Sequence, residues 1–376
     1  MAIGLVVVSA QWERILRFFF HLAGILSYFF GSWVGRYVKK DSSFGDKIKL
    51  IAPIGAPARQ SIFCQELESY GRESLGEDVF EIITIDRSKN LSKQIFKFWP
   101  SNMRGGKISL LLDQRTFSNS WLNGFLQALQ VKLVASIRGV EIYSYVTDIS
   151  IIRNRLLAIL LTARQGVIVS LLSQSYFTNK IPHRRIYSPV LMPISIERVI
   201  RQGQLSINNI AVPKNICLSS NFVGSLYPER NSILQLLLKH RKLIDLSIHD
   251  KSTGLTNEEY WRLLAASQIS IITTAQTNVE NNWVDLNDKH HVVWRISEAL
   301  AAKSLALIQD VQGLEGILES GKDYLSFTSE DDLLSTLDFL VGNPNEVQKI
   351  AESGYQTFLK LQKDGHFWGF LNRSLI

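Results

Sequence analysis

Cysteine and histidine are scarce in this chain of 376 residues, which contains 2 and 7 of them. Cys64 and Cys217 lie far apart in the sequence, a pattern that predicts neither a disulfide framework nor a cysteine-based metal site. The histidines form no HExxH motif, so we expect no bound metal. Two isolated thiols fit a reducing compartment, and we expect a cytoplasmic protein.

Acidic residues are outnumbered by basic ones, 34 to 41, and the net charge is +7. This excess favours anionic partners such as phosphates, acidic lipids or nucleic acid. Apolar residues make up 46% of the chain and charged residues 20%, a composition that excludes a disordered protein. The length suggests two or three domains, each with its own core.

Charged residues are absent from residues 18–35, which are crowded with Phe, Tyr and Trp and flanked by Arg14, Arg17 and Arg36. This stretch is long enough to cross a bilayer, although three glycines and His21 interrupt it. Three interpretations stay open: a buried helix that follows a first strand at Ile3–Ser9, a membrane-surface helix over 12–40, and a true span. A membrane surface, on its inner face, is therefore one candidate partner.

Apolar runs alternate with helix-like stretches along the chain, which predicts an α/β fold with parallel sheets. The strands predicted in the first half are Ile3–Ser9, Ile48–Pro53, Phe80–Ile85, Ile108–Asp113, Val131–Ser136, Ile142–Val146 and Gly166–Leu171. Prolines over 182–213 favour an interdomain linker at about 190–213. We expect domains at 1–205 and 206–355, and a tail at 356–376 that packs back on the first domain.

The alternation resumes in the second half, with predicted strands at Ile216–Val223, Leu243–Ile248, Ile269–Thr273, Leu305–Ile308 and Tyr324–Phe327. Thr256 is placed to cap a helix whose first turn contains Glu258 and Glu259. Ser329 is placed in the same way before an acidic first turn.

A helix that begins near Trp294 carries the strongest chemical signal, because Arg295 and Glu298 are three residues apart and share a face. Free N–H groups and the dipole attract anions to a helix N-terminus. Arg295 can bind a phosphate, and Glu298 can accept hydrogen bonds from a sugar diol. The alternative is a surface salt bridge of little energetic value.

Other residues of the second half can complete a phosphate site. Gly224 and Ser225 follow a predicted strand, where backbone can approach a phosphate closely, and Arg230 follows that turn. Gly313 lies in a glycine-bearing loop after Leu305–Ile308, and His290 comes just before the helix. Each has an ordinary interpretation as a turn or loop residue.

Carboxylates end three predicted strands of the first half: Asp86, Asp113 and Asp148. A carboxylate in that place can act as a general base towards an acceptor hydroxyl, and we take Asp113 and Asp148 as the catalytic candidates. The alternative is a helix N-cap in a strand-to-helix turn.

The second half also resembles a known family. The matching segments are FVGSLYPER at 222–230, EEYWRLLAASQI at 258–269, RISEALAAKSLALI at 295–308, GKDYLSF at 321–327 and EVQKIAESG at 346–354. They resemble the donor-binding half of GT-B glycosyltransferases, most of all the spore-maturation-type group with a glycosyl transferases group 1 C-terminal domain.

This resemblance implies two Rossmann-like lobes with parallel sheets that face a central cleft, and a nucleotide-diphosphate-sugar as co-substrate. It implies that Glu298 binds the ribose, Arg295 the phosphates and Gly224 the donor through its backbone, without a metal cofactor. The acceptor would be a glycan, a lipid-linked molecule or a protein, and no nucleic acid partner is expected.

The chain departs from the family pattern at three positions. Relatives often have Lys where this chain has Val293, Gly where it has Lys303 and, in the retaining group, an acid where it has His290. A sugar-nucleotide epimerase on the same fold and a non-catalytic, membrane-docked binding protein therefore stay open as alternatives.

Overall fold

The computed structural model describes residues 2–37, 47–54, 58–77, 79–86, 94, 108–113, 116–118, 120–146, 152–164, 166–170, 185–189, 191–200, 218–223, 228–239, 244–249, 256–274 and 292–371. The chain divides into two compact units. Unit 1 is Met1–Pro189 together with Trp368–Ile376, and unit 2 is Val190–Phe367.

Unit 1 is built on a parallel sheet with the strand order β2-β1-β3-β4-β5-β6. Its strands are β1 (Lys47–Ile54), β2 (Phe80–Asp86), β3 (Ile108–Asp113), β4 (Glu141–Val146), β5 (Val167–Ser170) and β6 (Ile186–Tyr187). Its helices are α1 (Ala2–Gly35), α2 (Ala58–Leu75), α3 (Trp121–Arg138) and α4 (Ile152–Thr162). The order reverses between β1 and β3, as in doubly wound folds.

Helices α3 and α4 cover the sheet of unit 1 with a core of Leu, Ile, Val and Ala, and α1 lies against both helices. Two glycines of α1 allow this close approach. A Cβ at Gly24 would lie 2.4 Å from the carbonyl oxygen of Leu160, and one at Gly31 would lie 2.6 Å from the Cβ of Ser136. The predicted strand at Ile3–Ser9 is wrong, because these residues form the start of α1.

The predicted strand at Val131–Ser136 is also wrong, because it is the second half of α3. Buried positions of α3, among them Gly124, Ala128, Val131 and Ala135, recur every three or four residues, which is the spacing of a helix face. Short apolar runs fit a strand and a buried helix equally well. The helix continues to Gly139, whose φ of 68° is the left-handed conformation of a helix end.

Unit 2 is built on a second parallel sheet, with the strand order β11-β10-β9-β7-β8. Its strands are β7 (Leu218–Val223), β8 (Ile244–His249), β9 (Ile269–Ile272), β10 (Leu305–Gln309) and β11 (Leu325–Phe327). Its helices are α5 (Pro228–Lys239), α6 (Asn257–Ala266), α7 (Trp294–Ala301), α8 (Glu330–Gly342) and α9 (Pro344–Lys363). The order of this sheet reverses between β7 and β9.

Local signals at two helices of unit 2 act as the sequence predicts. The hydroxyl of Thr256 accepts a hydrogen bond from the N–H of Glu259, and the Glu259 side chain accepts one from the N–H of Thr256. The hydroxyl of Ser329 accepts a hydrogen bond from the N–H of Asp332 at the start of α8. Both predicted caps are confirmed.

The division into units differs from the predicted domain bounds, because the stretch from Val190 and residues 356–367 belong to unit 2. Two hydrogen bonds hold the first of these stretches there. The N–H of Met192 donates to Ser297 Oγ at 2.8 Å, and Gln362 Nε2 donates to the carbonyl of Ile194 at 2.9 Å.

Trp368 belongs to unit 1 and lies in a short 3₁₀ helix, His366–Leu371. Its indole stacks on the ring of Tyr70 with centroids 5.8 Å apart, and its Nε1 donates to Ser74 Oγ at 2.7 Å. The contact ties the end of the chain to α2, inside unit 1.

Candidate functional site

The candidate site of unit 2 is built around α7, which follows β9 and leads into β10. In a parallel sheet all strands end at the same edge, and ligands bind at that edge near the point where the strand order reverses. Thr274, just past β9, fixes this edge: its hydroxyl donates to the carbonyl of Gln309, and its N–H donates to the Gln309 side chain. The crossover from this edge to β10 contains α7.

Glu298 on α7 is buried, with 6% of its surface exposed. The hydroxyl of Tyr260 on α6 donates a hydrogen bond to its Oε2. A carboxylate can accept several hydrogen bonds. One of them comes from Tyr260, which orients the carboxylate of Glu298.

Arg295 lies on the same face of α7, with its Nε 3.9 Å from Glu298 Oε2. Only 15% of this arginine side chain is exposed, and its Nε has no hydrogen-bond partner among the described residues. A buried guanidinium nitrogen without a partner is costly. The pair is therefore not the surface salt bridge considered from the sequence, because both side chains are largely buried.

The charges of this cluster act on Tyr260. Burial is the main cause that raises the pKa of the Tyr260 hydroxyl, and the negative charge of Glu298 raises it further, while Arg295 acts in the opposite direction. The phenol thus stays protonated at neutral pH and can donate its hydrogen bond to Glu298. We call Tyr260, Arg295 and Glu298 the α7 cluster.

Arg230 is buried in the first turn of α5, directly after the predicted phosphate turn. Its guanidinium lies 4.8 Å from the centroid of the Phe222 ring on β7. Such stacking fixes the orientation of a guanidinium. Gly224 and Ser225, on the turn between them, lie outside the described residues.

Gly313 lies in the loop between β10 and β11 with a φ of 105°, a conformation that favours glycine. Its N–H donates a hydrogen bond of 2.7 Å to the carboxylate of Glu315. The loop thus already directs an N–H group at an anionic group, as the phosphate interpretation of this glycine requires, but the acceptor present is a side chain of the protein.

The candidate bases of unit 1 are placed only in part. Asp113 is the last residue of β3, next to the position where the strand order of the first sheet reverses. Asp86 ends β2, where its backbone exchanges two hydrogen bonds with the side chain of Gln94. Asp148 and, in unit 2, His290 lie outside the described residues.

Two departures from the family pattern lie at the two ends of α7. Val293 is the N-cap of α7 and provides no side-chain hydrogen bond to the helix start. Lys303, where relatives often have glycine, has a φ of 59° just after α7. Its ammonium forms an ion pair with Glu352 and lies 5.6 Å from the ring centroid of Tyr355. The chain therefore keeps the turn that glycine favours and holds it with side-chain contacts.

Tyr260 is the site residue that the sequence did not single out. It lies 38 positions before Glu298, on another helix, and tyrosine on an amphipathic helix is usually a core residue. A signal was available in the Thr256 cap, which fixes where α6 begins and hence which face Tyr260 occupies.

Comparison with known proteins concerns the part of the chain that contains this site. Residues 222–366 match the family model described as "Glycosyl transferase-like". The matched segment contains α5 with Arg230, α6 with Tyr260, and α7 with Arg295 and Glu298. The predicted resemblance of the second half to glycosyltransferases is confirmed. No curated protein matches the chain at a significant level.

Solved structures are similar in fold to most of the chain. Anabaena HepE in complex with UDP and glucose is 12% identical with a TM-score of 0.51, covering 88% of this chain and 99% of its own. Sucrose-phosphate synthase from Thermosynechococcus elongatus has the same identity and coverages, with a TM-score of 0.48. A putative UDP-N-acetylglucosamine 2-epimerase from Listeria monocytogenes is 12% identical with a TM-score of 0.49, covering 87% and 97%. The predicted GT-B fold, with its two parallel-sheet α/β units, is confirmed.

Proposed function

We propose that the protein is a glycosyltransferase that moves a sugar from a nucleotide-diphosphate-sugar to an acceptor hydroxyl. The observation that carries this proposal is the α7 cluster inside a glycosyl transferase-like domain. Its buried carboxylate suits a ribose diol, and the guanidinium of Arg295, whose side chain is 15% exposed, lies beside it. These two groups match the ribose and the diphosphate of a nucleoside diphosphate.

In this proposal each donor-site residue has one task. Glu298 accepts hydrogen bonds from the ribose hydroxyls, Arg295 and Arg230 bind the diphosphate, and the N–H of Gly313 turns from Glu315 to the donor. Gly224, Ser225 and His290 would complete the phosphate end of the site. The leaving diphosphate gains negative charge as the glycosidic bond breaks, and fixed positive groups that stabilise this charge lower the barrier.

The acceptor hydroxyl needs a base, and we propose Asp113 or Asp148 for this task. The position of Asp113 at the carboxyl end of β3 supports the first choice. Replacement of the true base by Asn should lower kcat by at least about 100-fold with little change in donor affinity. Replacement of the other aspartate should leave kcat within a few-fold.

We also propose that transfer needs no bound metal, since the arginines and the start of α7 can offset the diphosphate charge. Turnover in EDTA should then equal turnover in Mg²⁺, and a loss of activity in EDTA that Mg²⁺ restores would contradict this point. We further propose a cytoplasmic enzyme at the inner face of a membrane, acting on a glycan, a lipid-linked molecule or a protein.

Calorimetry with UDP tests the donor site. UDP is the first probe because HepE was crystallised with it. Glu298→Ala should weaken binding by about 100-fold, since it removes charge-assisted hydrogen bonds to the ribose. The matched control is Glu346→Ala, which removes a carboxylate ion-paired with Lys349 elsewhere in unit 2. Equal affinities of the two variants would overturn the site assignment. If UDP does not bind, the other nucleoside diphosphates take its place.

Product analysis separates the proposed activity from its alternatives. A transferase should convert a nucleotide-sugar only when acceptor is added, apart from slow hydrolysis. An epimerase would convert the nucleotide-sugar alone into its stereoisomer, and a binding protein would release no nucleoside diphosphate under either condition. Each of these last two results contradicts the proposal.

A further inference from the structure

The outer face of α1 is apolar and exposed. From Trp12 to Tyr37 its large exposed side chains recur every three or four residues, which places them on one side of the helix. They are Trp12, Ile15, Phe18, Phe19, Leu22, Leu26, Phe29, Phe30, Trp33 and Tyr37, all at least 40% exposed. A soluble surface rarely presents so many contiguous apolar groups, so this face needs a partner.

The apolar face continues onto the start of α3. The ring of Phe125 on α3 contacts those of Phe19 and Phe20, with centroids 5.8 Å and 4.9 Å away. Beside it the α3 residues Trp121, Leu122 and Leu126 are 46%, 65% and 44% exposed. We call these three residues, the nine exposed residues of α1 and Tyr37, just after α1, the aromatic surface.

The inner face of α1 is held by unit 1. Phe20 is part of the core, and Gly24 and Gly31 lie so close to α4 and α3 that no Cβ would fit. A helix that crosses a bilayer would have to leave these contacts or pull α3 and α4 into lipid. The helix spans about 50 Å along its axis, and its described side chains face unit 1 on one side only. The packing therefore favours a helix that lies on a membrane over one that crosses it.

The charged residues at the two ends of the apolar face of α1 indicate what kind of partner this face binds. Residues 18–35 contain no charged side chain, whereas Arg14 and Arg36 are exposed at the two ends of this stretch, and Lys39 and Lys40 follow in the sequence. Two copies of the chain that paired through this face would bring these arginines together in either orientation, which repels. Anionic headgroups complement both ends, and Trp and Tyr suit the bilayer interface.

We propose that the aromatic surface docks unit 1 in the interface of an anionic lipid bilayer without spanning it. This deepens the proposed function, on which it rests for the idea that the acceptor is reached at a membrane. Its side chains lie in unit 1, whereas the α7 cluster lies in unit 2. Membrane binding and donor binding can thus be measured separately.

Vesicle flotation of the full chain tests the proposal. The wild type should float with vesicles of phosphatidylcholine and phosphatidylglycerol, and about tenfold less with phosphatidylcholine alone. The variant Phe18→Gln, Leu22→Gln, Leu26→Gln, Phe30→Gln should lose at least about tenfold in partitioning to the anionic vesicles. The matched control is Phe339→Gln, since Phe339 of unit 2 is 52% exposed, and its partitioning should not change.

Further measurements decide between the remaining outcomes. Should the fourfold variant fail to fold, Arg14→Gln, Arg36→Gln should still lower binding to anionic vesicles by several-fold. Alkaline carbonate should release the bound protein, and its retention would show a span and overturn the interfacial arrangement. A wild type that floats with no vesicle, or a dimer in solution that the fourfold variant dissociates, would also overturn the proposal. Normal UDP binding in these cases would leave the proposed function standing.

Discussion

Both units bury a charged side chain near a tyrosine, but the two side chains have different partners. In unit 1 the Lys132 ammonium lies 5.6 Å from the ring centroid of Tyr28, and burial lowers its pKa to about 7, although Glu141 opposes the shift. In unit 2 the Glu298 carboxylate receives a hydrogen bond from Tyr260 and has Arg295 3.9 Å away.

The two side chains differ in their surroundings. Burial favours the neutral form of Lys132, whereas Glu298 has a hydrogen-bond donor and a cation beside it. Lys132 is buried on α3 near Tyr28 of α1, and burial favours its neutral form. Glu298 is oriented by a donor and a cation, as a group that binds a ligand should be. Charge burial alone therefore does not mark a site in this protein, and the buried Glu141 of unit 1 also accepts a hydrogen bond from a tyrosine, Tyr143, and lies 3.9 Å from Arg185.

The largest expected effect concerns the contact between α1 and α3. Gly31→Leu should destabilise unit 1 by about 3 kcal/mol, because a side chain would overlap Ser136 and the carbonyl of Leu133. Thermal or denaturant unfolding measures the loss. The matched control is Gly342→Ala, which meets no atom within 4 Å and should change stability by less than about 1 kcal/mol. Equal stability of the two variants would mean that α1 is not packed as described.

The next effect tests the lowered pKa of Lys132. Its pKa is about 7 in the fold and 10.5 in the unfolded chain. Between these two pH values Lys132 is protonated in the unfolded chain and neutral in the folded chain. The free energy of unfolding should therefore rise with pH by up to about 1.4 kcal/mol per pH unit. Below pH 7 the penalty is present in full. The difference in unfolding free energy between wild type and Lys132→Met should follow this slope, and a flat difference would contradict the burial of the lysine.

The role of the hydrogen bond from Tyr260 to Glu298 is tested by removing the tyrosine hydroxyl. Tyr260→Phe removes the hydroxyl and should weaken UDP binding by about tenfold, because the carboxylate loses the group that orients it. Tyr355→Phe is the control, because it removes a hydroxyl from the same unit away from the α7 cluster, and its affinity should equal that of the wild type. If both variants bind like the wild type, Tyr260 only fills space.

The smallest effect lies at the end of α7. Lys303→Gly relieves the backbone at φ 59° but loses the ion pair with Glu352, so its stability should stay within about 1 kcal/mol of the wild type. Lys303→Ala loses the same ion pair and keeps the strain. It should be less stable than Lys303→Gly by about 1 kcal/mol in denaturant unfolding, and the reverse order would refute the left-handed turn.

Much of the fold could be predicted because its signals are local. The caps at Thr256 and Ser329 depend on residues three positions away. The apolar runs of β9 and β10 likewise consist of neighbouring residues. Val131–Ser136 could not be assigned correctly, because valines and leucines in a short run fit a buried strand as well as the covered end of α3. The two-residue strand β6, which pairs with β5, has no sequence signal of its own.

The candidate site could likewise be predicted only in part. The helix with Arg295 and Glu298 follows from an i, i+3 pattern, but its meaning depends on Tyr260, which only folding brings to Glu298. The left-handed turn at Lys303 could not be predicted either, because lysine does not favour that conformation. The sequence by itself determined the alternation of strands and helices, the helix starts and the resemblance of residues 222–366, because neighbouring residues carry these signals. Only the tertiary structure decided which side of α1 is covered and which buried charge has oriented partners, because packing joins residues that are far apart in the chain.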